Sequence, residues 1–249
     1  MQKSTIAQLN KLNSEFYTTV ASDFDNSRNH YWPGWIKLLE HIDAEKISSV
    51  LDIGCGNGRF GSFATEHFHN LANYTGIDSN QQLLDAAKTA NPSGDFLKND
   101  IVSNFLSGSP LVPTDQKFNL IAIFGVMHHI PSFELRAQLI KAASSLLTES
   151  GTLVFTTWQF MEFERLRKKT INPHEINIRT HELEDEDYFL DWQRGPLAIR
   201  YCHYFTPGEV AKLLHATNLS QISTYRADGK EESVNSYYIV TPLKYQKQS

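Results

Sequence analysis

Val50–Leu51–Asp52–Ile53–Gly54–Cys55–Gly56–Asn57–Gly58–Arg59–Phe60 is the stretch that decides how this chain folds. An apolar, β-branched run ends in an acid, and glycines follow at alternate positions. A strand that feeds such a turn is a nucleotide-binding device. Glycine tolerates φ > 0, and without a side chain it lets a ligand lie against the backbone. The spacing is G-x-G-x-G rather than the G-x-G-x-x-G of dinucleotide sites. No Lys-Ser or Lys-Thr follows, which excludes a phosphate-gripping P-loop. The loop suits an adenosine ligand that carries no polyphosphate.

Outward from this loop, strand and helix signals alternate. Ser49–Ile53 reads as the first strand and Gly58–His67 as the helix after it. Tyr74–Ile77 is a second strand ending at Asp78, and Ser79–Thr89 is the next helix, with Ser79 or Asn80 as its N-cap. Asp95–Leu97 is a short third strand before Asn99–Asp100. Phe118–Phe124 is a continuous apolar run, as in a strand buried on both faces. Phe133–Leu147 is an amphipathic helix closed by a turn around Ser150–Gly151, and Gly151–Thr157 is a fifth strand. This alternation predicts a doubly wound, mostly parallel sheet.

Upstream, Ile6–Ser22 carries Leu9, Leu12, Phe16 and Val20 at helical spacing, and Trp35–Ile42 reads as a second helix started by Pro33. Downstream, the rhythm breaks over Gln159–Ile199, which holds a basic cluster (Arg165, Arg167, Lys168, Lys169) and an acidic one (Glu182, Glu184, Asp185, Glu186, Asp187). A long insertion beside a strand end is more often functional than idle. Pro207–Thr217 then reads as a helix, and Gln221–Arg226 and Ser236–Val240 as an antiparallel hairpin at the sheet edge. The expectation is one domain over residues 1–249: a helical cap (1–44), a cofactor core (45–158), a substrate-side insertion (159–206), and a C-terminal helix with its edge hairpin (207–249).

Composition narrows the class. With 41% hydrophobic and 20% charged residues the chain is an ordinary globular protein, and a net charge of −5 gives no global basic signature for nucleic acid. Cys55 and Cys202 form neither a disulfide framework nor a metal-spaced set, so a reducing, cytosolic setting is expected. Met1–Asn13 has no apolar signal-peptide core, and Leu120–Met127 is too short to span a bilayer, so no membrane is expected.

The residues that carry chemistry lie at strand ends. Asp78 ends the second strand, where a carboxylate accepts hydrogen bonds from both ribose hydroxyls; a turn-initiating Asp is the rival reading. Asn99–Asp100–Ile101 ends the third strand and is placed to meet an adenine edge, with a plain turn as the rival reading. Together, Asp52–Arg59, Asp78, Asn99–Asp100 and Phe124–His129 resemble the motif series of class I S-adenosylmethionine-dependent methyltransferases, over about residues 45 to 160. That resemblance implies a Rossmann-like α/β fold: a mostly parallel seven-stranded sheet with an antiparallel edge strand and helices on both faces. It implies S-adenosylmethionine as cofactor. The glycine loop (Gly54, Cys55, Gly56, Asn57) would pass the methionine part, Asp78 and Ser79 the ribose, and Asn99, Asp100 and Ile101 the adenine. Asp52 would steady the loop and, through water, the ligand's amino group, and Phe124 and Gly125 would also bind the cofactor.

Further segments resemble a narrower group: Phe24–Pro33 with Arg28 and Trp32, Val126–Ile130 followed by Arg136, Leu153–Trp158, and Arg200–Val210. They are similar to the S-R-x-x-x-W-P, V-H-H, x-x-W and R-Y-Y-H-x-x-x-x-G-E-L segments of the enzymes that methylate the carboxylate of 5-carboxymethyluridine at the tRNA wobble position. In animals that domain is fused to an oxygenase. Cys202 departs from the usual second Tyr, and Thr156–Thr157 from the usual pair before Trp. The resemblance implies a tRNA substrate and, from eukaryotic relatives, a small zinc-binding activator protein as partner.

A carboxylate is already ionised at neutral pH, so its methylation asks for alignment and desolvation rather than a general base. Arg28, His129, Arg200 and His203 are the expected catalytic groups, with Arg28 and Trp32 also toward the cofactor. Trp158, Tyr201 and the basic residues Arg165, Lys168 and Lys169 are the expected substrate contacts. Trp158 either stacks on a base or packs in the core, and the basic cluster either meets phosphate or is a solvated face. Adjacent histidines point apart and no third ligand is evident, so no metal is expected at His128–His129. A small-molecule carboxylate or hydroxyl methyltransferase and a non-catalytic cofactor- or RNA-binding subunit are the alternatives.

Overall fold

The computed structural model describes residues 1–26, 30–192 and 198–243, the stretch 21–26 by its backbone alone. Helix α1 (Lys3–Asn26) and the short α2 (Pro33–Leu38) precede strand β1 (Ser49–Ile53). Then come α3 (Arg59–His67), β2 (Asn73–Asp78), α4 (Gln81–Ala90), β3 (Asp95–Lys98), α5 (Ile101–Ser107), β4 (Phe118–Ile123), α6 (Phe133–Ser145) and β5 (Leu147–Trp158). The insertion holds α7 (Glu164–Arg167), β6 (Thr170–Ile171), β7 (Asp187–Asp191) and β8 (Ile199–His203). Helix α8 (Pro207–Ala216), β9 (Leu219–Ala227) and β10 (Asn235–Pro242) follow. No described helix is long and apolar enough to cross a membrane.

Seven strands form one sheet in the order β3-β2-β1-β4-β5-β10-β9. The pairs from β3 to β5 are parallel, and β10 runs antiparallel to both β5 and the outermost strand β9. The period-2 alternation of strands sorts the core onto two faces. Leu51, Ile53, Ile121, Ile123 and Phe155 pack under α5, α6 and α8. Val50, Leu120, Ala122 and Val154 pack against Trp35, Phe60 and Phe63 of α2 and α3. All five residues of β1 are buried, because helices cover both its faces. The strand order reverses between β1 and β4, and in such sheets the crevice at that switch is where ligands bind.

The structure differs from the sequence reading in three places. Helix α5 follows Asn99–Asp100, where no helix was expected; Asp100 caps it by accepting from Ser103 N at 3.0 Å. No turn occurs at Ser150–Gly151. Strand β5 already starts at Leu147 and bulges, so that Leu147 pairs with Phe118 and Thr152 with Leu120. Gly151 is needed there because a Cβ would stand 2.8 Å from the Phe118 carbonyl. Finally, the insertion folds as a three-stranded antiparallel sheet, β6-β7-β8. It is joined to α1 through Tyr201 N, which donates to Asn13 Oδ1 at 2.8 Å.

Candidate active site

The glycine loop leaves β1 with Gly54, Gly56 and Gly58 at φ of 76°, 54° and 78°. These left-handed angles cost a residue with a Cβ about 1–2 kcal/mol each. The turn lies flat because Gly54 N and Cys55 N donate to the Ile77 carbonyl at 2.8 and 3.0 Å. A Cβ on Gly54 would stand 2.1 Å from Val126 Cγ2, whereas one on Gly56 would meet no atom within 4 Å. Gly54 is therefore required by packing, and Gly56 leaves open space beside the chain for a ligand.

Two carboxyls flank this loop. Asp78 accepts from Gly56 N at its Oδ2 and from Asn80 N at its Oδ1, both at 2.9 Å. Burial pushes the Asp78 carboxyl up, against the pull of the Asn80, Gly56 and Ser79 backbone N–H groups. Asp52 is buried deeper and accepts from the Tyr74 hydroxyl at 2.6 Å. Burial pushes it up to about 7, while the Tyr74 hydrogen bond works the other way. Asn99 donates to the Leu111 carbonyl at 2.6 Å and leaves its buried Oδ1 without a partner. Asp100 faces the fold, with both oxygens accepting from Asn10 Nδ2 at 3.0 and 2.9 Å.

These groups line one cavity of about 420 Å³ together with Trp32, Cys55, Asn57, Ser79, Ile101, Phe124 and Gly125. That volume lies in the range of small-molecule sites, about 300–1,000 Å³. Trp32 stacks on Trp35 with ring centroids 5.4 Å apart. Acceptors at two strand ends, an orphaned buried acceptor at Asn99 and bare main chain at Gly56 fit an adenosine bearing an amino acid.

The other half of the cavity is lined by Tyr17, His128, His129, Trp158 and Arg200. His129 Nδ1 lies 2.9 Å from the Tyr201 carbonyl, which only accepts, so Nδ1 carries the proton. Its Nε2 shares a hydrogen bond with the Tyr17 hydroxyl at 2.8 Å. Both ring nitrogens are therefore engaged. Arg200 sits among aromatic rings, its guanidinium carbon 4.7 Å from the Trp158 centroid and 5.0 Å from that of Phe16. Its Nε is buried without an acceptor, and among the described residues no carboxylate pairs with it.

Other expected site residues stand elsewhere. Arg28 lies outside the described residues. Tyr201 is fully buried outside the cavity, with its hydroxyl donating to Asp187 Oδ1 at 2.7 Å. His203 is also outside the cavity, held between Asp187 at 2.7 Å and Glu209 at 2.6 Å rather than turned to the substrate half as expected. The reason is strand alternation: on β8, Tyr201 and His203 share the face opposite Arg200. Arg165 pairs with Glu231 through both ends of its guanidinium fork at 2.6 Å, and Lys168 pairs with Glu164 at 2.6 Å. Lys169 donates to the Trp192 carbonyl at 3.3 Å. None of the three lines the cavity. Trp158 does, but Arg200 lies over its ring, so a base stacked on that face is excluded. The fold also brings Cys202 to His128 and His129, with ligand-type atoms within 4.8 Å of one another, although His129 Nδ1 is engaged with the Tyr201 carbonyl.

Residues 24–224 match the family described as a methyltransferase domain. The chain belongs to this family. Family membership and the pocket's chemistry together make S-adenosylmethionine the cofactor of this methyltransferase. It is 24% identical over 226 residues to the tRNA (carboxymethyluridine(34)-5-O)-methyltransferase of Saccharomyces cerevisiae, a match covering 88% of this chain and 72% of that one. A Mus musculus protein of the same activity name is 23% identical over 164 residues, 66% of this chain and 22% of that protein. Among solved structures, the N-methyltransferase NodS of Bradyrhizobium japonicum in complex with S-adenosyl-L-homocysteine matches with a TM-score of 0.54 at 16% identity. That match covers 84% of this chain and 85% of NodS.

Sequence reasoning missed two sets of lining residues in the methyltransferase. One is Asn10, Asn13, Ser14 and Tyr17 of α1; the other is Asp228, Gly229 and Val234 between β9 and β10, with Asn235 at the start of β10. The first had a signal: polar residues at helical spacing beside the apolar stripe of Leu9, Leu12, Phe16 and Val20. The second had none in the local sequence. Asp228 accepts from Gly34 N, Asn235 Nδ2 and the Tyr237 hydroxyl at 2.8, 2.8 and 2.6 Å, holding the segment after Trp32 against the hairpin.

Proposed function

We propose that this methyltransferase esterifies a carboxylate, that of 5-carboxymethyluridine at the wobble position of tRNA. The observation that carries the reading is Arg200, a guanidinium with no acid partner among the described residues, turned to the cavity that also holds the glycine loop. A planar fork of donors binds a carboxylate in two places and fixes its orientation. The walls of Phe16 and Trp158 shed water from the pair, which strengthens it and bares the nucleophilic oxygen. Bound S-adenosylmethionine supplies an electrophilic methyl group on a sulfonium. Asp78 and the Gly54–Gly58 turn hold that cofactor in the other half of the cavity. No group has to remove a proton, which agrees with a His129 already engaged on both nitrogens. The tRNA-modifying relatives support the nucleoside substrate.

One observation favours a second reading, a small free acid as substrate. The Arg165 and Lys168 cations face acids of this chain, which leaves less positive charge for a phosphate backbone. Both readings make an ester. We therefore expect label from the cofactor's methyl group to leave the product as methanol under mild alkali, since esters hydrolyse where ethers and N-methyl groups persist. Alkali-stable label would end the carboxylate reading. A small zinc-binding activator belongs to the proposal as a partner, so the assays are run with and without one.

A further inference from the structure

Behind the substrate wall lies a buried ionic chain that the reaction does not use. Arg136 of α6 is 1% exposed and reaches Glu184 Oε2 at 2.8 Å and Glu209 Oε1 at 2.9 Å. Glu209 Oε2 meets His203 Nε2 at 2.6 Å, and His203 Nδ1 meets Asp187 Oδ1 at 2.7 Å. Tyr201 donates to the same Asp187 oxygen. Both ring nitrogens of His203 face carboxylate oxygens, which only accept, so His203 is an imidazolium. Two cations and three carboxylates thus join α6, the insertion, β8 and α8.

This chain touches the site from behind at two points. On β8 the alternation of side chains places Tyr201 and His203 in the ionic chain and Arg200 on the cavity side. At the other point, Arg136 Nη1 donates to the Ile130 carbonyl at 3.1 Å, and Glu184 accepts from Phe133 N at 3.0 Å. That clamps the loop carrying His128 and His129. Among the described residues, the hydrogen bonds and ion pairs of this ionic chain run to α6, the loop before it, the insertion, β8 and α8 rather than to the glycine loop, Asp78 or Asn99.

We infer that this ionic chain is the mount of the substrate wall, with His203 as a positioning residue that holds Arg200 and His129 in place and has no part in holding the cofactor. Buried pairs of this kind add little net stability over apolar packing but can fix one arrangement, and here each cation and carboxylate has a partner of opposite charge although Arg136 Nε is left without an acceptor. Here the arrangement fixed is the spacing between the guanidinium of Arg200 and the imidazole of His129. Misplacing such groups by about 1 Å costs about a hundredfold in rate. The identity of the substrate rests on the function proposed above; the mount itself does not.

The test uses His203→Gln and Tyr201→Phe in the full chain, the second removing one hydroxyl only. Titration calorimetry with S-adenosylmethionine should give affinities within about twofold of the parent, while kcat/KM on tRNA bearing the free acid falls about tenfold or more for His203→Gln and less for Tyr201→Phe. Hydrogen exchange should rise at residues 128–133 and 199–203 and stay unchanged at 52–60. Cofactor affinity that falls along with turnover, or exchange unchanged at 128–133, would overturn the mount. If His203→Gln does not fold, Tyr201→Phe decides by the same readouts. If the parent leaves the tRNA unmethylated, the function proposed above fails, and exchange with calorimetry still judges the mount.

Discussion

Replacing Arg200 with methionine separates binding from packing in the substrate half of the cavity. The guanidinium carbon lies 4.7, 5.0 and 6.0 Å from the ring centroids of Trp158, Phe16 and Trp192. Each such contact is worth about 0.5–1 kcal/mol where water reaches it. A methionine thioether against the same rings recovers about 0.3–1.5 kcal/mol per contact. Removing a half-buried cation that has no counter-ion among the described residues also relieves a desolvation cost of several kcal/mol. The first of these terms is lost and the other two are gained, so the unfolding free energy of Arg200→Met should be no lower than that of the parent, and its Tm equal or higher. The substrate loses a charge-assisted pair worth about 1.5–3 kcal/mol. Read as affinity, that is about 10- to 150-fold in KM. Scanning calorimetry, cofactor titration and steady-state kinetics on one preparation give all the required quantities, and cofactor affinity should not move. A stability loss above about 3 kcal/mol would make Arg200 a structural residue. An unchanged KM would remove it from the substrate site.

Four further outcomes follow from the geometry. Gly56→Ala should fold with a penalty of about 1–2 kcal/mol and lose at least about tenfold in cofactor affinity, because its methyl enters the ligand's space. Gly54→Ala should instead fail in melting curves, its methyl colliding with Val126. Asp78→Ala should weaken cofactor binding by about 10- to 100-fold in titration calorimetry, because it takes the acceptor from Gly56 N and Asn80 N as well as from the ligand. Asp52 titrates at about 7 in the fold, above the ordinary carboxyl, so the native state holds the extra proton and stability falls as pH rises from about 4 to 7. Asp52→Asn removes that slope while keeping an acceptor for Tyr74. Its Tm advantage over the parent should grow across this window and level off above it; an advantage that shrinks with rising pH would contradict the assignment.

Much of the cofactor half was legible in the sequence, because one contiguous loop and the next strand end build it. Ser49–Ile53 occupies the residues expected of it, since its apolar residues Val50, Leu51 and Ile53 run directly into the glycine turn that ends the strand. Helix α5 escaped because it is seven residues long and its cap, Asp100, resembled a ligand contact. The sheet of the insertion escaped because β6 is two residues long and β7 and β8 lack a clean polar-apolar alternation. The substrate half was legible only in part. Arg200 lines the cavity as expected, but Tyr201 and His203 belong to the opposite face of the same strand, which period-2 geometry required. Tyr17 and Asp228 reach the cavity from elements more than 200 residues apart in sequence, a proximity that only the folded chain discloses.

Nucleoside mass spectrometry on tRNA carrying 5-carboxymethyluridine, incubated with the protein and S-adenosylmethionine, tests the account most directly. A mass gain of one methylene at that nucleoside, reversed by mild alkali and lost in Arg200→Met, is the result expected. Unchanged nucleoside, with a small free acid methylated in the same reaction mixture, would contradict the tRNA substrate while leaving the carboxylate chemistry. Methyl transfer undiminished in Arg200→Met would contradict the carboxylate anchor itself.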